Sequence, residues 1–153
     1  MVITIRPAQR SDVPLLFEML HASAVDQGFP DLLAVTEADL VEDGFGARPR
    51  FQAVIAEIGR VPAAMALYFF TYSTWVNRNV LYLEDLYVDV KYRRGSVATA
   101  LLEHLAGIAR QEGCRRMQWL VHRENDAAIR LYRSFGAHLH DDWVLTSRTV
   151  EAS

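Results

Sequence analysis

The sequence predicts an α/β (α+β) domain, in which a mixed and mostly antiparallel sheet is flanked by helices. Three observations predict it. Residues 51–88 hold three apolar, aromatic-rich stretches separated by short turn signals, which is the pattern of an antiparallel meander. Past residue 96 the apolar period becomes helical, and strand and helix patterns then alternate as in βαβ units. The chain has 153 residues, 51% hydrophobic and 23% charged, enough apolar surface for one folded domain and too much for a disordered chain.

The elements follow in order. Val2-Ile3-Thr4-Ile5-Arg6 alternates and is a strand ending at Pro7. Ser11-Asp12-Val13-Pro14 starts a helix, with Ser11 as the cap and Pro14 in the first turn. Leu15, Leu16, Met19 and Leu20 form its apolar face, and Gln27-Gly28-Phe29-Pro30 breaks it. Thr36-Glu37-Ala38-Asp39 opens a second helix that ends near Gly44-Phe45-Gly46. Strands follow at Phe51 to Ile58, Pro62 to Tyr72 and Val80 to Val88, joined by Gly59-Arg60 and by the polar stretch Trp75 to Asn79. Val97, Leu101, Leu105 and Ile108 recur at helical spacing, and Gly113 suits the position past that helix. Arg116 to Val121 is a strand. Asn125 or Asp126 caps a helix through Arg133 that stops near Gly136, and Trp143 to Thr149 is a last strand. With no repeat and no linker, residues 1–153 are expected to form a single domain.

Composition excludes several classes. No run approaches the ~18 apolar residues of a membrane span, so no membrane association is expected. The first seven residues lack the basic start and long apolar middle of a secretory signal. Cys114 is alone, so no internal disulfide is expected, and the reducing cytoplasm is the default compartment. The five His residues show no ligand spacing on a helix face, and no metal site is expected. A net charge of −3 argues against general nucleic-acid binding. The charge is uneven: residues 1–50 hold eight acids against four Arg, and residues 81–140 hold nine Lys or Arg against seven acids. The acidic front half suits a cationic substrate, and exposed acids are also common everywhere.

Three features carry chemistry. At Val88-Asp89-Val90-Lys91-Tyr92-Arg93-Arg94-Gly95-Ser96-Val97-Ala98 a strand ends, a basic turn follows, and an amphipathic helix begins. Amides of a helix's first turn carry partial positive charge and suit phosphate oxygens. A solvated surface run is the plain alternative, and the loop is neither a Walker loop nor a dinucleotide fingerprint. Glu84 and Asp85 are adjacent in an otherwise apolar strand, so one carboxylate is partly buried unless a bulge re-aims the chain. Burial raises a carboxyl pKa and suits a general base, and pairing with an Arg would explain the acid equally well. Tyr132, near the end of a short helix, either covers the core edge or presents a phenol to a leaving thiolate. Full transfer from a phenol of pKa about 10 to a thiolate of pKa about 8.5 is uphill by roughly 2 kcal/mol, so hydrogen bonding or partial transfer suffices.

Taken together and in this order, these features resemble the GNAT superfamily of acyl-CoA-dependent N-acetyltransferases, over nearly the whole chain. Ile5-Arg6-Pro7-Ala8 with Asp12 is similar to the usual opening of that family. Glu42-Asp43-Gly44-Phe45-Gly46, Tyr68-Phe69-Phe70-Thr71-Tyr72, Leu81 through Val88, and Asn125 through Tyr132 to Gly136-Ala137 resemble the spermidine/spermine (diamine) N-acetyltransferase group. The resemblance implies a GNAT-like sheet of six to seven strands with about four helices, acetyl-CoA as co-substrate, a small primary amine as acceptor, and a homodimer. Leu86, Tyr87 and Val88 would then offer backbone groups to the pantetheine arm. Arg93, Arg94, Gly95, Ser96, Val97, Ala98 and Thr99 would hold the pyrophosphate. Asn125, Ala127, Ala128 and Tyr132 would contact the cofactor. Glu84 would accept the amine proton through water, and Tyr132 would donate to the CoA sulfur. Asp26, Glu84, Asp85 and Asp142, with Asp141 beside it, would meet the substrate's ammonium groups.

The chain departs from the family pattern in two places. In the register Arg93-Arg94-Gly95-Ser96-Val97-Ala98, Ser96 stands where the family's loop has its first glycine, and Gly95 comes one place early. Serine tolerates that turn if its φ is negative, whereas a positive φ would strain it. The segment Ala24 to Asp31 holds only two acids where the polyamine enzymes are acid-rich. A protein or peptide N-acetyltransferase, with Tyr68, Tyr72 and Trp75 lining a groove, and a non-catalytic acyl-CoA-binding module are the rival readings.

Overall fold

The computed structural model describes residues 2–152. They fall into two compact units, one ending at Leu120 and one beginning at Val121. The first unit contains strand β1 (Ile3–Pro7), helices α1 (Val13–Asp26) and α2 (Glu37–Phe45), and strands β2 (Gln52–Ile58), β3 (Val61–Ser73) and β4 (Arg78–Val88). Helix α3 (Val97–Gln111) and strand β5 (Met117–Gln118) complete it. The second unit contains helix α4 (Asp126–Ser134).

The sheet runs β1-β2-β3-β4-β5. The first four strands are antiparallel, and β5 lies parallel to β4. The meander forms where the sequence predicts it, because β-branched and aromatic residues fill β3 and β4 while Gly59 takes φ +64 in the tight β2–β3 turn. Val13, Leu16, Met19 and Leu20 of α1 and Leu40 of α2 pack with Ala53, Ile55, Met65 and Leu67 on one sheet face. The alternate residues Val54, Ala56, Ala64 and Ala66 are also buried, so the opposite face is covered as well. Helix α3 packs on β1, β3 and β4 through Val97, Leu101, Leu102 and Leu105, all shut off from solvent. Each such buried side chain contributes about 1.5–3 kcal/mol.

Two expectations are corrected. The strand expected over Arg116 to Val121 pairs only at Met117 and Gln118, and Trp143 to Thr149 forms no strand. Six to seven expected strands therefore become five among the described residues. Trp143 to Thr149 has strand-like residue types, but a strand exists only through its ladder to a neighbour. None pairs with it, and Trp143 is 75% exposed.

The helix starts show a third difference. Helix α2 begins as expected: the Thr36 hydroxyl accepts from the Asp39 N–H at 3.1 Å, and the Asp39 carboxylate accepts from the Thr36 N–H at 2.9 Å. At α1, Ser11 is not the cap but lies inside a 3-10 turn, Arg10–Asp12. The Asp12 carboxylate organises this corner instead. It accepts from the Gln9 N–H at 2.7 Å and from both Arg6 amino groups at 2.8 and 3.0 Å. Arg6 also donates to Glu57 at 3.3 Å, tying β1 to the start of α1 and to β2.

The Arg6 hydrogen bonds, against opposing burial and helped by the Gln9 N–H, hold the Asp12 carboxyl below its usual range near 3.8. A carboxyl depressed on folding contributes stability above its unfolded-state pKa and loses it as pH falls through the folded value. Asp12→Asn is expected to lower unfolding free energy by about 1.5–3 kcal/mol at pH 7. Urea melts should show the gap to wild type narrowing below about pH 3.8.

Candidate active site

The sheet is interrupted at one place that matters for chemistry. Leu83 pairs with Tyr68 and Asp85 pairs with Leu67, so Glu84 is an extra residue with no partner on β3. This is a β-bulge, and it shifts the alternation of β4 by one. Asp85 and Tyr87 thereby share a face with Leu67 and Met65, the face covered by α1 and α2. Glu84 is exposed and Asp85 half-buried. Burial, and then the adjacent Glu84 charge, push the Asp85 carboxyl up to about 6. Both branches of the sequence expectation are therefore met at once: a bulge re-aims one acid, and the other is partly buried. The raised carboxyl is Asp85.

Strand β5 pairs with β4 only at Leu81 and Tyr82. Its ladder stops before the bulge, and the outer edge of Leu86, Tyr87 and Val88 has no sheet partner among the described residues. An extended amide-bearing chain can add to such an edge. One acceptor there is engaged, since Arg93 Nε donates to the Val88 carbonyl at 2.8 Å.

Beyond β4 a 3-10 turn at Val90–Tyr92 leads into the basic loop, with the Asp89 carboxylate accepting from the Lys91 N–H at 2.9 Å. Arg93 is held on three sides. Besides the Val88 carbonyl it donates through Nη2 to the Asp26 carboxylate, and its guanidinium carbon lies 5.4 Å from the Tyr87 ring centroid. Asp26 is the last residue of α1. Two residues expected to bind different ligands, Asp26 and Arg93, are thus bound to each other. Sequence reasoning missed this pair, although an Asp at a helix C-terminus opposes the helix dipole and signals a cation partner.

Ser96 precedes α3 with φ −94, so serine sits there without strain. The left-handed residue in the loop is Arg94, at φ +64. Helices α2 and α4 start on a side-chain cap, but no side chain caps α3. The first-turn amides of Val97, Ala98 and Thr99 are left for another acceptor. Val97 is fully buried, whereas Ala98 is half-buried and Thr99 exposed, so the reachable first-turn residues are the latter two. Two arginines, small residues and an uncapped helix start fit a pyrophosphate.

In the second unit, Asn125 caps α4: its side chain accepts from the Ala128 N–H at 3.2 Å. Ala127 lies in the first turn of that helix. Tyr132 is half-buried near its end, and burial pushes the phenol above its usual value, so the proton stays on oxygen at neutral pH. Asp141 and Asp142 lie in an exposed turn. In the first unit Tyr68 is buried, whereas Tyr72 and Trp75 are 62% and 88% exposed at the β3–β4 turn. Among the described residues no helix is long and apolar enough to cross a membrane.

Residues 17–137 match the model of the Acetyltransferase (GNAT) family. Spermidine/spermine N(1)-acetyltransferase-like protein 1 of Homo sapiens is 36% identical over 140 residues, 87% of this chain, although the chain spans only 20% of that relative's length. Thialysine N-epsilon-acetyltransferase of Mus musculus is 35% identical over 141 residues, covering 87% of this chain and 82% of the relative. Among solved structures, an aminoglycoside acetyltransferase from an uncultured soil metagenomic sample superposes with a TM-score of 0.80 over 97% of both chains at 14% identity, a likeness of fold.

Two outcomes follow from the geometry of β4 and the basic loop. NMR titration should place the Asp85 carboxyl midpoint at about 6, and Glu84→Gln should lower it by removing the neighbouring charge. A carboxyl raised on folding costs stability as pH rises through the folded value, so Asp85→Asn should raise the melting temperature at pH 7 and lose that advantage below about pH 4. At Arg94, glycine should leave thermal stability equal or higher, because it adopts positive φ freely. Arg94→Val should lower it by about 1–2 kcal/mol.

Proposed function

Because the chain belongs to the GNAT acetyltransferase family, we propose that it moves the acetyl group of acetyl-CoA to a primary amine of a small diamine, polyamine or lysine-like molecule, within a ternary complex. The chain is an acetyl-CoA-dependent N-acetyltransferase. The family match runs through residue 137, past the boundary between the two units, which supports reading both as one catalytic domain. The relatives, one named for spermidine and spermine and another for thialysine, support an amine on a short flexible chain.

The observation that carries the reading is the bulge at Glu84, followed at once by the unpaired edge Leu86–Val88 and the uncapped start of α3. Acetyl-CoA supplies an acyl group already activated as a thioester. Leu86, Tyr87 and Val88 align the pantetheine amides by backbone hydrogen bonds. Arg93, Arg94 and the loop from Gly95 to Thr99 neutralise and hydrogen-bond the diphosphate. The family resemblance supports a cofactor contact for Asn125, Ala127 and Ala128 at the start of α4. A homodimer in the cytoplasm completes the proposal, supported by the family resemblance and by a chain with one cysteine.

An alkyl ammonium of pKa about 10.4 is neutral only about once in a thousand molecules at pH 7.4, so deprotonation asks for about 4 kcal/mol. Glu84, exposed at the bulge, takes that proton through water. Asp85, Asp26 and Asp142 attract the substrate's second cationic group. Tyr132 hydrogen-bonds the departing sulfur, and its raised pKa favours donation without full transfer. A second reading has one observation in its favour: Asp85, with its carboxyl near 6, is itself the base.

A panel of diamines, polyamines and lysine analogues with acetyl-CoA should release CoA for at least one amine, and silence across the panel would overturn the proposal. Glu84→Gln is expected to lower kcat by about 100-fold or more. Tyr132→Phe should lower kcat with CoA affinity retained. If Asp85→Asn, rather than Glu84→Gln, abolishes the rise of rate with pH, Asp85 is the base.

A further inference from the structure

The sequence places Asp26 and Arg93 67 positions apart, and the fold brings them into one ion pair. Each sits at an end that its partner compensates. Asp26 is the final residue of α1, where the helix dipole is already negative, and among the described residues Arg93 is the cation that pairs with it. Arg93 opens the loop that leads into the uncapped start of α3. Both side chains are about 40% exposed, at 42% and 41%, so the pair is within reach of solvent and other ions rather than locked in a core. The second tether of Arg93, from Nε to the Val88 carbonyl, is a separate hydrogen bond to a separate acceptor and does not pass through Asp26.

We propose that Asp26 and Arg93 form an exchange latch that couples anion binding at the loop to cation binding at the end of α1. In the free protein the Asp26 carboxylate occupies Arg93 as an internal counter-anion. A diphosphate at the α3 start competes for the same guanidinium and wins it through two negative charges and the helix amides. The Asp26 carboxylate is then left beside the negative end of α1, where an ammonium replaces the lost partner. Each ligand therefore raises the affinity of the other by the same factor. The inference rests on reading the α3 start as the diphosphate site, and it deepens that reading by naming the side-chain pair through which the anion and amine sites are coupled.

Calorimetric titration with coenzyme A itself, which carries no acetyl group to transfer, separates the two ideas. Wild type, Asp26→Asn, Arg93→Gln and the double variant are compared, with thermal melts without ligand as the check on folding. Asp26→Asn is expected to bind coenzyme A about two- to fivefold more tightly than wild type. In the Arg93→Gln background the same substitution should change nothing. Wild type should bind coenzyme A about two- to fivefold more tightly in 1,4-diaminobutane than in sodium chloride of equal ionic strength, and Asp26→Asn should not. Asp26→Ala replaces Asp26→Asn if the melt shows the latter misfolded. Equal affinity in wild type and Asp26→Asn overturns the latch, as does an equal gain in both Arg93 backgrounds or indifference of wild type to the diamine. Failure of wild type to bind coenzyme A overturns the diphosphate site, and the latch with it.

Discussion

One extra residue in β4 governs what the middle of this sheet can do. In an unbulged strand residues 83, 85 and 87 would share a face, and Glu84 rather than Asp85 would lie opposite Leu67. With the bulge, Leu83 stays opposite Tyr68 while Asp85 moves opposite Leu67, onto the face beneath α1 and α2. The bulge therefore does two things by one insertion. It puts neighbouring carboxyls into different surroundings, one exposed and one half-buried. It also marks where β4 passes from a paired strand to a strand with a bare outer edge. Different surroundings separate the proton affinities of two acids that are chemically near-identical, and acid–base sites rest on that separation.

The electrostatics around this strand follow from helix ends. Helix α1 ends on a carboxylate, which is unfavourable alone, and helix α3 begins without a cap, which leaves amides unsatisfied. Arg93 stands between these two deficits and meets the first of them through Asp26. Tyr87 supports the arrangement from below: its ring lies within cation–π reach of Arg93, at 5.4 Å, and belongs to the face that packs on the α1/α2 core. A position in β4 is thus connected through the loop to the end of α1 by ring, guanidinium and carboxylate in turn. Because the carboxylate and guanidinium are both partly exposed, the interaction is weak enough to be traded for a stronger anion.

Much of this was legible from residue order. The meander, the helix starting at Thr36, the helix from Val97 and the cap at Asn125 are local patterns, and local patterns decide them. Glu84-Asp85 stood out because acids in an apolar strand need a structural reason. The start of α1 is a local ambiguity: Ser11 and Asp12 are both cap types, and the Gln9 N–H and Arg6, three and six positions away, select Asp12. The rest of what the sequence does not reveal depends on contacts across long separations. The Arg93–Asp26 pair is invisible to any window of neighbouring residues. Trp143 to Thr149 misled in the opposite sense, since it has strand chemistry and no ladder. Strand propensity describes what fits a sheet already present, not what makes one.

The basic loop shows how a displaced glycine can be accommodated. A cradle of amides depends on backbone angles, and side-chain identity matters only where an angle excludes a Cβ. At Ser96 the angle is ordinary, with φ −94 and ψ 8. The left-handed angle of the loop is at Arg94, which costs about 1–2 kcal/mol in a residue other than glycine. Such a conformation persists only when both sides of it are fixed. Upstream, Arg93 is fastened to the Val88 carbonyl and to Asp26, and Asp89 closes the preceding turn on Lys91. Downstream, Val97 is fully buried as the first residue of α3. The strain at Arg94 is therefore held between two anchors, and one of those anchors is the ion pair itself. Loosening that pair relaxes one side of the turn, so the conformation of the loop and the partner chosen by Arg93 are set together.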